Sequence, residues 1–206
     1  MKKFLCVFCA LLVLALSGCG ESEIQDASTL VGQWQTDVDI AEYMNETMNL
    51  EYMVERFVIR IKLSFAQDGT MSLAFDRDYM NQQQNEMAEN MWNVMMQMHA
   101  DDLGLDIQEV EQIMEKSGWS SDILRASMGL DKVLDQLTDW QGRWEIKDNT
   151  LYMDPEDPTK AEPIQIKMNQ GKLSMTGGSG IAIILKGAVA PERIDKLLPL
   201  VFERQA

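Results

Sequence analysis

His99 is the only histidine of the 206-residue chain, and several carboxylates follow it closely. An imidazole beside Asp101, Asp102 and Asp106 could hold a metal ion or exchange protons. The spacing matches no metal-binding loop, and these acids fall where one predicted helix ends and the next begins, so capping and solvation account for them. No set of serine, histidine and aspartate for acyl transfer is recognisable. We therefore predict no metal site, no cofactor, no catalytic residue and no enzymatic activity.

The thiol of Cys19 is the second reactive group, and it ends the run Leu-Ser-Gly-Cys at residues 16–19. Two lysines and an apolar run over residues 4–16 come before it, and that run is too short to span a bilayer as a helix. This layout is typical of a bacterial lipoprotein signal, in which the cysteine sulfur receives a diacylglycerol and residues 1–18 are removed. We expect lipidation at Cys19 and a membrane-anchored protein of the bacterial cell envelope, at the outer membrane. An ordinary secretory signal with a chance cysteine is the alternative.

The other two cysteines, Cys6 and Cys9, lie within the predicted signal peptide. Once residues 1–18 are removed, Cys19 is the one cysteine left, and lipid consumes its sulfur. An internal disulfide, a thiolate catalyst and a cysteine-based zinc site are therefore not expected. Residues 19–28 are polar and acidic with no apolar period, which predicts an acidic tether between lipid and domain.

The charge balance excludes one class of partner. The chain has 33 acidic and 18 basic residues, a formal net charge of −15. Such a surface repels polyanions, so no nucleic-acid partner is expected. The excess of acid either keeps the protein soluble or attracts a cationic ligand, and both interpretations stay open.

Two strands joined by a turn at Asp68-Gly69 are the clearest elements that could position a site. Side chains alternate between apolar and polar on both, which predicts one face against a core. Similar patterns elsewhere give about eight strands, of which residues 181–185 are the last. Because a row of hairpins leaves open edges unless it closes, we predict an antiparallel barrel. Its candidate ligand or core lining comprises Phe57, Ile59, Ile61, Leu63, Phe65, Met71, Leu73, Phe75 and Trp144.

The period changes to three and four between residues 79 and 138, which predicts a helical insertion after the third strand. Four methionines there share one helical face and form a candidate partner face: Met87, Met91, Met95 and Met98. Thioethers are flexible and polarisable, so they suit a surface that repacks around a partner. Filling of a helical core is one alternative, and copper binding by converging sulfurs is another. The apolar residues after Pro191 predict a C-terminal helix over residues 191–206, which would follow a barrel domain of residues 29–190.

Gly32-Gln33-Trp34 on the first predicted strand, the Asp68-Gly69 hairpin and the strand over residues 142–146 together resemble bacterial lipocalin-like (calycin-type) lipoproteins. The resemblance covers roughly residues 29–76 and 140–187. It implies a mainly β, eight-stranded antiparallel barrel, interrupted here by helices. In that family a Gly-x-Trp packs its indole across the closed barrel end, so Gly32 and Trp34 would be a structural motif. A Thr-Asp-Tyr-type second motif is not evident, and no arginine is clearly placed to stack on Trp34.

Two non-catalytic functions are consistent with this sequence. In the first, the barrel holds a small apolar ligand and the inserted helices act as a lid. In the second, the barrel is filled by its own side chains, and the methionine-rich helices bind a protein partner or a second copy of the chain. Bulky inward residues such as Phe57 and Trp144 favour the second, whereas a cavity inside the barrel would favour the first. In both, the membrane is a partner through Cys19.

Overall fold

A computed structural model describes residues 24, 26–48, 54–129, 134–156, 161–186 and 188–206 of the chain. The predicted signal peptide, the predicted lipidation site Cys19 and the first part of the predicted tether lie outside the described residues. Among the residues that are described, no helix combines the length and the apolar character needed to cross a membrane.

Eight antiparallel strands form a closed barrel in which each strand pairs with its neighbours in the chain. Trp34 on the first strand lies opposite Arg204 on the last, and this pairing closes the sheet without leaving either strand as a free edge. The predicted eight-stranded antiparallel barrel is therefore confirmed. The strands are β1 (Gly32–Asp39), β2 (Val58–Phe65), β3 (Thr70–Phe75), β4 (Trp140–Lys147), β5 (Thr150–Met153), β6 (Glu162–Asn169), β7 (Lys172–Gly177) and β8 (Leu200–Arg204).

Helices occupy the long connections between strands, and the predicted helical insertion after the third strand is confirmed. Asp76 caps the first inserted helix by accepting a hydrogen bond from the Tyr79 N–H, and Gly104 ends it with a φ of 63°. Asp106 and Glu109 form the predicted capping pair of the next one. The α-helices whose full range is described are α1 (Ala41–Met48), α2 (Arg77–Leu103), α3 (Ile107–Lys116), α4 (Ser121–Met128) and α5 (Gly180–Ile184). The 3-10 helices cover Ala27–Leu30 and Pro191–Leu197.

The C-terminal part of the chain differs from the prediction. Residues 181–185, predicted as a strand, lie largely in α5, because an uninterrupted apolar run fits a short buried helix as well as a buried strand. The predicted helix over residues 191–206 is wrong beyond the 3-10 helix. Pro199 has no N–H for a helix, and the next residues alternate between buried and exposed as strand β8. The barrel therefore extends past residue 190.

The two ends of the barrel differ in character. At the turn end, tight turns join β2 to β3, β4 to β5 and β6 to β7, and the 3-10 helix Ala27–Leu30 precedes β1. Asp148, Asn149, Gln170 and Gly171 have φ values between 50° and 78° in two of these turns. Positive φ at both central residues matches the twist of paired strands. At the opposite, helix end, the strands are joined by α1, by α2 to α4, and by α5 with the second 3-10 helix.

Apolar side chains fill the barrel and continue into its two ends as one cluster. The register sets Trp34 opposite Leu63 and Leu63 opposite Leu73, so inward positions meet across neighbouring strands. Leu30 extends the cluster at the turn end, whereas Met44, Met80, Ile181 and Ile184 extend it at the helix end. The wall and both ends thus share one core.

Candidate functional site

Trp34 and Arg204 hold the N-terminal segment across the turn end. The buried Trp34 donates its Nε1–H to the carbonyl of Leu30 at 2.7 Å. The Arg204 guanidinium lies over the indole, 4.6 Å from the ring centroid, and donates to the carbonyls of Thr29 and Val31. A cation over an aromatic face is attracted to it, so one arginine both covers the indole and fixes the chain that crosses it.

Sequence reasoning missed Arg204 because it assigned residues 191–206 to a helix. Once β8 pairs with β1, Arg204 lies opposite Trp34. The same contact explains why residue 32 is a glycine. Its φ is 132°, and a Cβ there would lie 3.1 Å from Nη1 of Arg204. Both the backbone conformation and the close approach of the guanidinium therefore favour glycine. Gly32 and Trp34 both lie on β1 at the turn end of the barrel.

The chain enters the barrel at this same end. The N–H of Ile24 donates to Oδ1 of Asn149 in the turn between β4 and β5, at 2.8 Å, and the Ile24 side chain packs against the core. Asp26 caps the 3-10 helix by accepting from the N–H of Ser28. Hydrogen bonds from the Ser28 side chain and from its N–H hold the pKa of the Asp26 carboxyl below its usual range. The N-terminal segment is therefore held to the turn end at Ile24 and again from Asp26, so the last part of the tether predicted over residues 19–28 belongs to the folded domain.

Every residue predicted to line the barrel is buried. Phe65 and Trp144 meet edge to face with ring centroids 5.0 Å apart, and the Trp144 indole donates to the carbonyl of Thr70 at 3.0 Å. The later strands add buried inward side chains that fill the same interior: Leu151, Met153, Ile164, Ile166, Leu173, Met175, Leu200 and Phe202. The interior is therefore a packed apolar core in which Phe65 and Trp144 contact each other.

Polar contacts attach the first turns of α2 to strand β2 of the barrel. The N–H of Val58 donates to Oε1 of Gln83 at 3.0 Å, and Nε2 of Gln83 donates to the Val58 carbonyl at 2.8 Å, so a side chain continues the ladder at the start of β2. Arg60 pairs with Asp37 through two hydrogen bonds of 2.9 Å and lies 3.6 Å from the ring centroid of Tyr79. The hydrogen bond from Arg60 holds the pKa of the Asp37 carboxyl below its usual range.

Helices α2, α3 and α4 together form what we call the helical arm (residues 77–129). A second, smaller cluster joins them, in which Trp92, Met96 and Ala100 of α2 pack with Val110 of α3. Leu124 of α4 packs against this cluster and against the barrel core. The arm thus has a core of its own as well as its attachment to the barrel.

The four methionines of the predicted partner face do not share one exposed surface. Met87 and Met91 are each 7 % exposed and belong to the barrel core, and Met95 is partly buried against the core of the arm. Only Met98 of the four is largely exposed, at 55 %. The four methionines lie on one side of α2, as their spacing predicts. The first part of this helix, however, packs against the barrel core, whereas its later part packs against the core of the arm. The same face therefore meets the core first and solvent later.

The arm carries most of the exposed apolar surface. Of the ten large apolar residues that are exposed among the described positions, eight lie on it, with exposures between 38 % and 61 %. These eight are Val94, Met98, Leu103, Leu105, Ile107, Ile113, Trp119 and Ile123. The arm also has ten carboxylates and three cationic side chains, a formal net charge of −7. Sequence reasoning missed this surface because it looked for methionines alone.

A groove of about 670 Å³ lies outside the barrel, between residues 54–56 and one face of α2. Met87 and Met91 form its apolar floor, and Glu55 and Glu86 lie among its polar lining. Val94 lines it and is also one of the exposed apolar residues of the arm. The groove therefore runs from the barrel core to the exposed surface of the arm.

The residues considered as a metal or acid–base site lie around the end of α2 and the start of α3. His99 and Asp102 are exposed on α2, Asp101 accepts a hydrogen bond from Gln97, and Asp106 caps α3. Within the described ranges, no group of three or more His, Cys, Asp and Glu side chains is placed to hold a metal ion.

Comparison of the chain with protein-family models, with curated proteins and with solved structures found no match.

Proposed function

We propose that this chain is a non-catalytic, lipocalin-like lipoprotein of the bacterial cell envelope, anchored through Cys19. In this proposal the barrel is a filled scaffold, and the helical arm binds a cationic, amphipathic helix of a partner protein. The observation that carries the proposal is the contrast between a barrel interior with buried apolar side chains and an arm with eight exposed ones.

The packing of the barrel interior supports a structural role for the barrel rather than a ligand-binding one. A ligand site needs apolar volume that the protein leaves free, together with a few polar groups that orient the ligand. The inward side chains are buried against each other from the turn end to the helix end, and Phe65 and Trp144 meet edge to face. An apolar guest inside would have to displace this packing, at a cost of several kcal/mol for each large side chain.

The chemistry of the arm supports a cationic amphipathic partner. Eight of the ten exposed large apolar residues among the described positions lie on this one part of the fold, and concentrated exposed apolar surface marks interaction sites in soluble proteins. Val94 and Met98 are four residues apart, so they lie one helical turn apart on α2 and can together contact the apolar face of a helix packed against it. A net charge of −7 attracts a basic partner and repels an acidic one. A second copy of this chain is less favourable, because it would bring two arms of the same negative charge together.

The proposal can be tested with two synthetic helical peptides of about 18 residues, or five turns. Both carry the same leucine face, and their polar face is lysine in one and glutamate in the other. We expect the lysine peptide to bind, more weakly at high salt, and the glutamate peptide not to bind. Met98→Gln should weaken binding about 5- to 30-fold, which corresponds to the loss of an apolar anchor worth 1–2 kcal/mol.

Ile183→Gln provides the matched control, because Ile183 is exposed on α5 rather than on the arm. This variant should bind the lysine peptide like the unmodified protein. Equal binding of both peptides, or equal effects of the two substitutions, would contradict the proposal. Circular dichroism of each variant verifies that the fold is unchanged.

A small apolar ligand in the groove beside α2 is the second candidate function. The groove volume, about 670 Å³, lies within the range of ligand sites in proteins, and Met87 and Met91 give it an apolar floor. Native mass spectrometry of freshly purified protein separates the two candidates. A copurified small molecule would favour the ligand site, and an unliganded monomer would favour the filled scaffold with its arm.

A further inference from the structure

We infer that the tether holds the turn end of the barrel against the membrane, so that the helix end and the helical arm point away from it. This inference rests on the proposed lipid anchor at Cys19 and adds the surface that meets the bilayer. It starts from the place where the chain enters the fold. Ile24 is hydrogen-bonded to Asn149 of a tight turn, and Trp34 and Arg204 hold the segment that follows across the same end.

The reach of the tether limits which end can touch lipid. Four residues separate Cys19 from Ile24, and a fully extended chain advances at most about 3.6 Å per residue. The lipidated sulfur therefore lies within about 18 Å of the turn end. If the protein were inverted, the tether would have to span the barrel height, about 20 Å for tilted eight-residue strands, plus about 10 Å for the helices that cover the helix end. A reach of about 18 Å does not span a height of about 30 Å.

Charge favours the same orientation. The three tight turns at this end, residues 66–70, 147–150 and 169–172, carry two lysines and two aspartates, and the N-terminal segment that leads into this end adds Glu21, Glu23 and Asp26, a formal charge of −3. The helical arm has a net charge of −7. Anionic headgroups repel an acidic surface within a Debye length, so the arm is the least favourable part to bring to the bilayer.

A matched pair of labels tests this orientation in the lipidated protein reconstituted into vesicles. Gln67 is exposed in the turn between β2 and β3, and Gln112 is exposed on α3 of the arm. Because lipid occupies the sulfur of Cys19, Gln67→Cys and Gln112→Cys each introduce a single reactive thiol for a fluorophore. Phospholipids with a spin label on the headgroup then report which fluorophore lies near the surface. We expect the label at position 67 to be quenched several-fold more than the label at position 112.

Lengthening the tether separates its effect from that of charge. Insertion of about 20 flexible residues after Gly20 raises the mean reach to about 25 Å or more, so the difference between the two labels should shrink. Stronger quenching at position 112, or an unchanged difference with the long tether, would overturn the inference while the anchor stands. Failure of the protein to float with the vesicles would instead overturn the anchor, and with it the proposed lipoprotein.

Discussion

Truncation of Phe202 tests the strand that closes the barrel. Phe202 is 0 % exposed and points inward from β8. Replacement by alanine removes the six-carbon ring, about 120 Å² of buried apolar surface, which is worth about 3 kcal/mol at 25 cal/mol per Å². The cavity left behind adds to this, so Phe202→Ala should lower the free energy of unfolding by about 3–5 kcal/mol.

Val201 supplies the matched control because it is the next residue and faces outward, 38 % exposed. We expect Val201→Ala to lower the free energy of unfolding by less than about 1 kcal/mol. Urea unfolding followed by tryptophan fluorescence measures both variants, since Trp34 and Trp144 are buried in the barrel. For a chain of this size, the loss at Phe202 corresponds to a decrease in Tm of roughly 6–20 °C. Equal effects of the two truncations would mean that residues 200–204 do not form a barrel strand.

Three further substitutions test the turn end, the barrel wall and the arm. Arg204→Ala should lower the free energy of unfolding by about 1–2 kcal/mol, because it removes the cation over Trp34 and two hydrogen bonds, and a change below about 0.5 kcal/mol would refute that role. Asp37→Asn should destabilise by up to about 1 kcal/mol at pH 7. Because pairing with Arg60 lowers the folded-state pKa of Asp37, this difference should shrink as the pH falls through the ordinary carboxyl range, about 4, and vanish only below the lowered folded-state pKa, and a pH-independent difference would contradict the pairing. Asp106→Ala removes the cap of α3, worth about 1 kcal/mol, and should speed hydrogen exchange in α3 but not in the strands, whereas unchanged exchange in α3 would contradict the cap.

The first three strands could be predicted because their environment repeats every second residue. From Phe57 to Phe65 the inward positions are apolar. The outward positions between them include polar residues such as Arg60 and Lys62, which are at least partly exposed. Asp68-Gly69 then marks the turn. Two-residue alternation and turn chemistry are local properties, so the residues themselves carry them.

The eighth strand could not be predicted in the same way. Residues 181–185 are apolar without alternation and lie in a short helix, whereas β8 shows its alternation over only Leu200 to Phe202. Which of the two segments pairs with β1 is decided by closure of the sheet, which is a long-range condition. The position of Arg204 over Trp34 depends on that same closure, so it was missed along with the strand.

The arm shows what helical spacing leaves undetermined. The spacing of Met87, Met91, Met95 and Met98 correctly placed them on one side of α2. It could not show where α2 leaves the barrel, because burial depends on the neighbours of a helix rather than on its own sequence. The exposed apolar residues of the arm include Trp119 and Ile123, which lie outside the methionine pattern.

The central claim is that the barrel is filled and that the arm is the binding surface. Methyl NMR spectra of the protein, recorded with xenon and then with the lysine peptide, test both parts in one sample. Xenon occupies apolar cavities, so a filled barrel predicts unchanged methyl signals of Ile61 and Leu173. The peptide should instead shift the methyl signals of Val94 and Met98. Xenon-induced shifts inside the barrel, with no response of the arm to the peptide, would contradict the account.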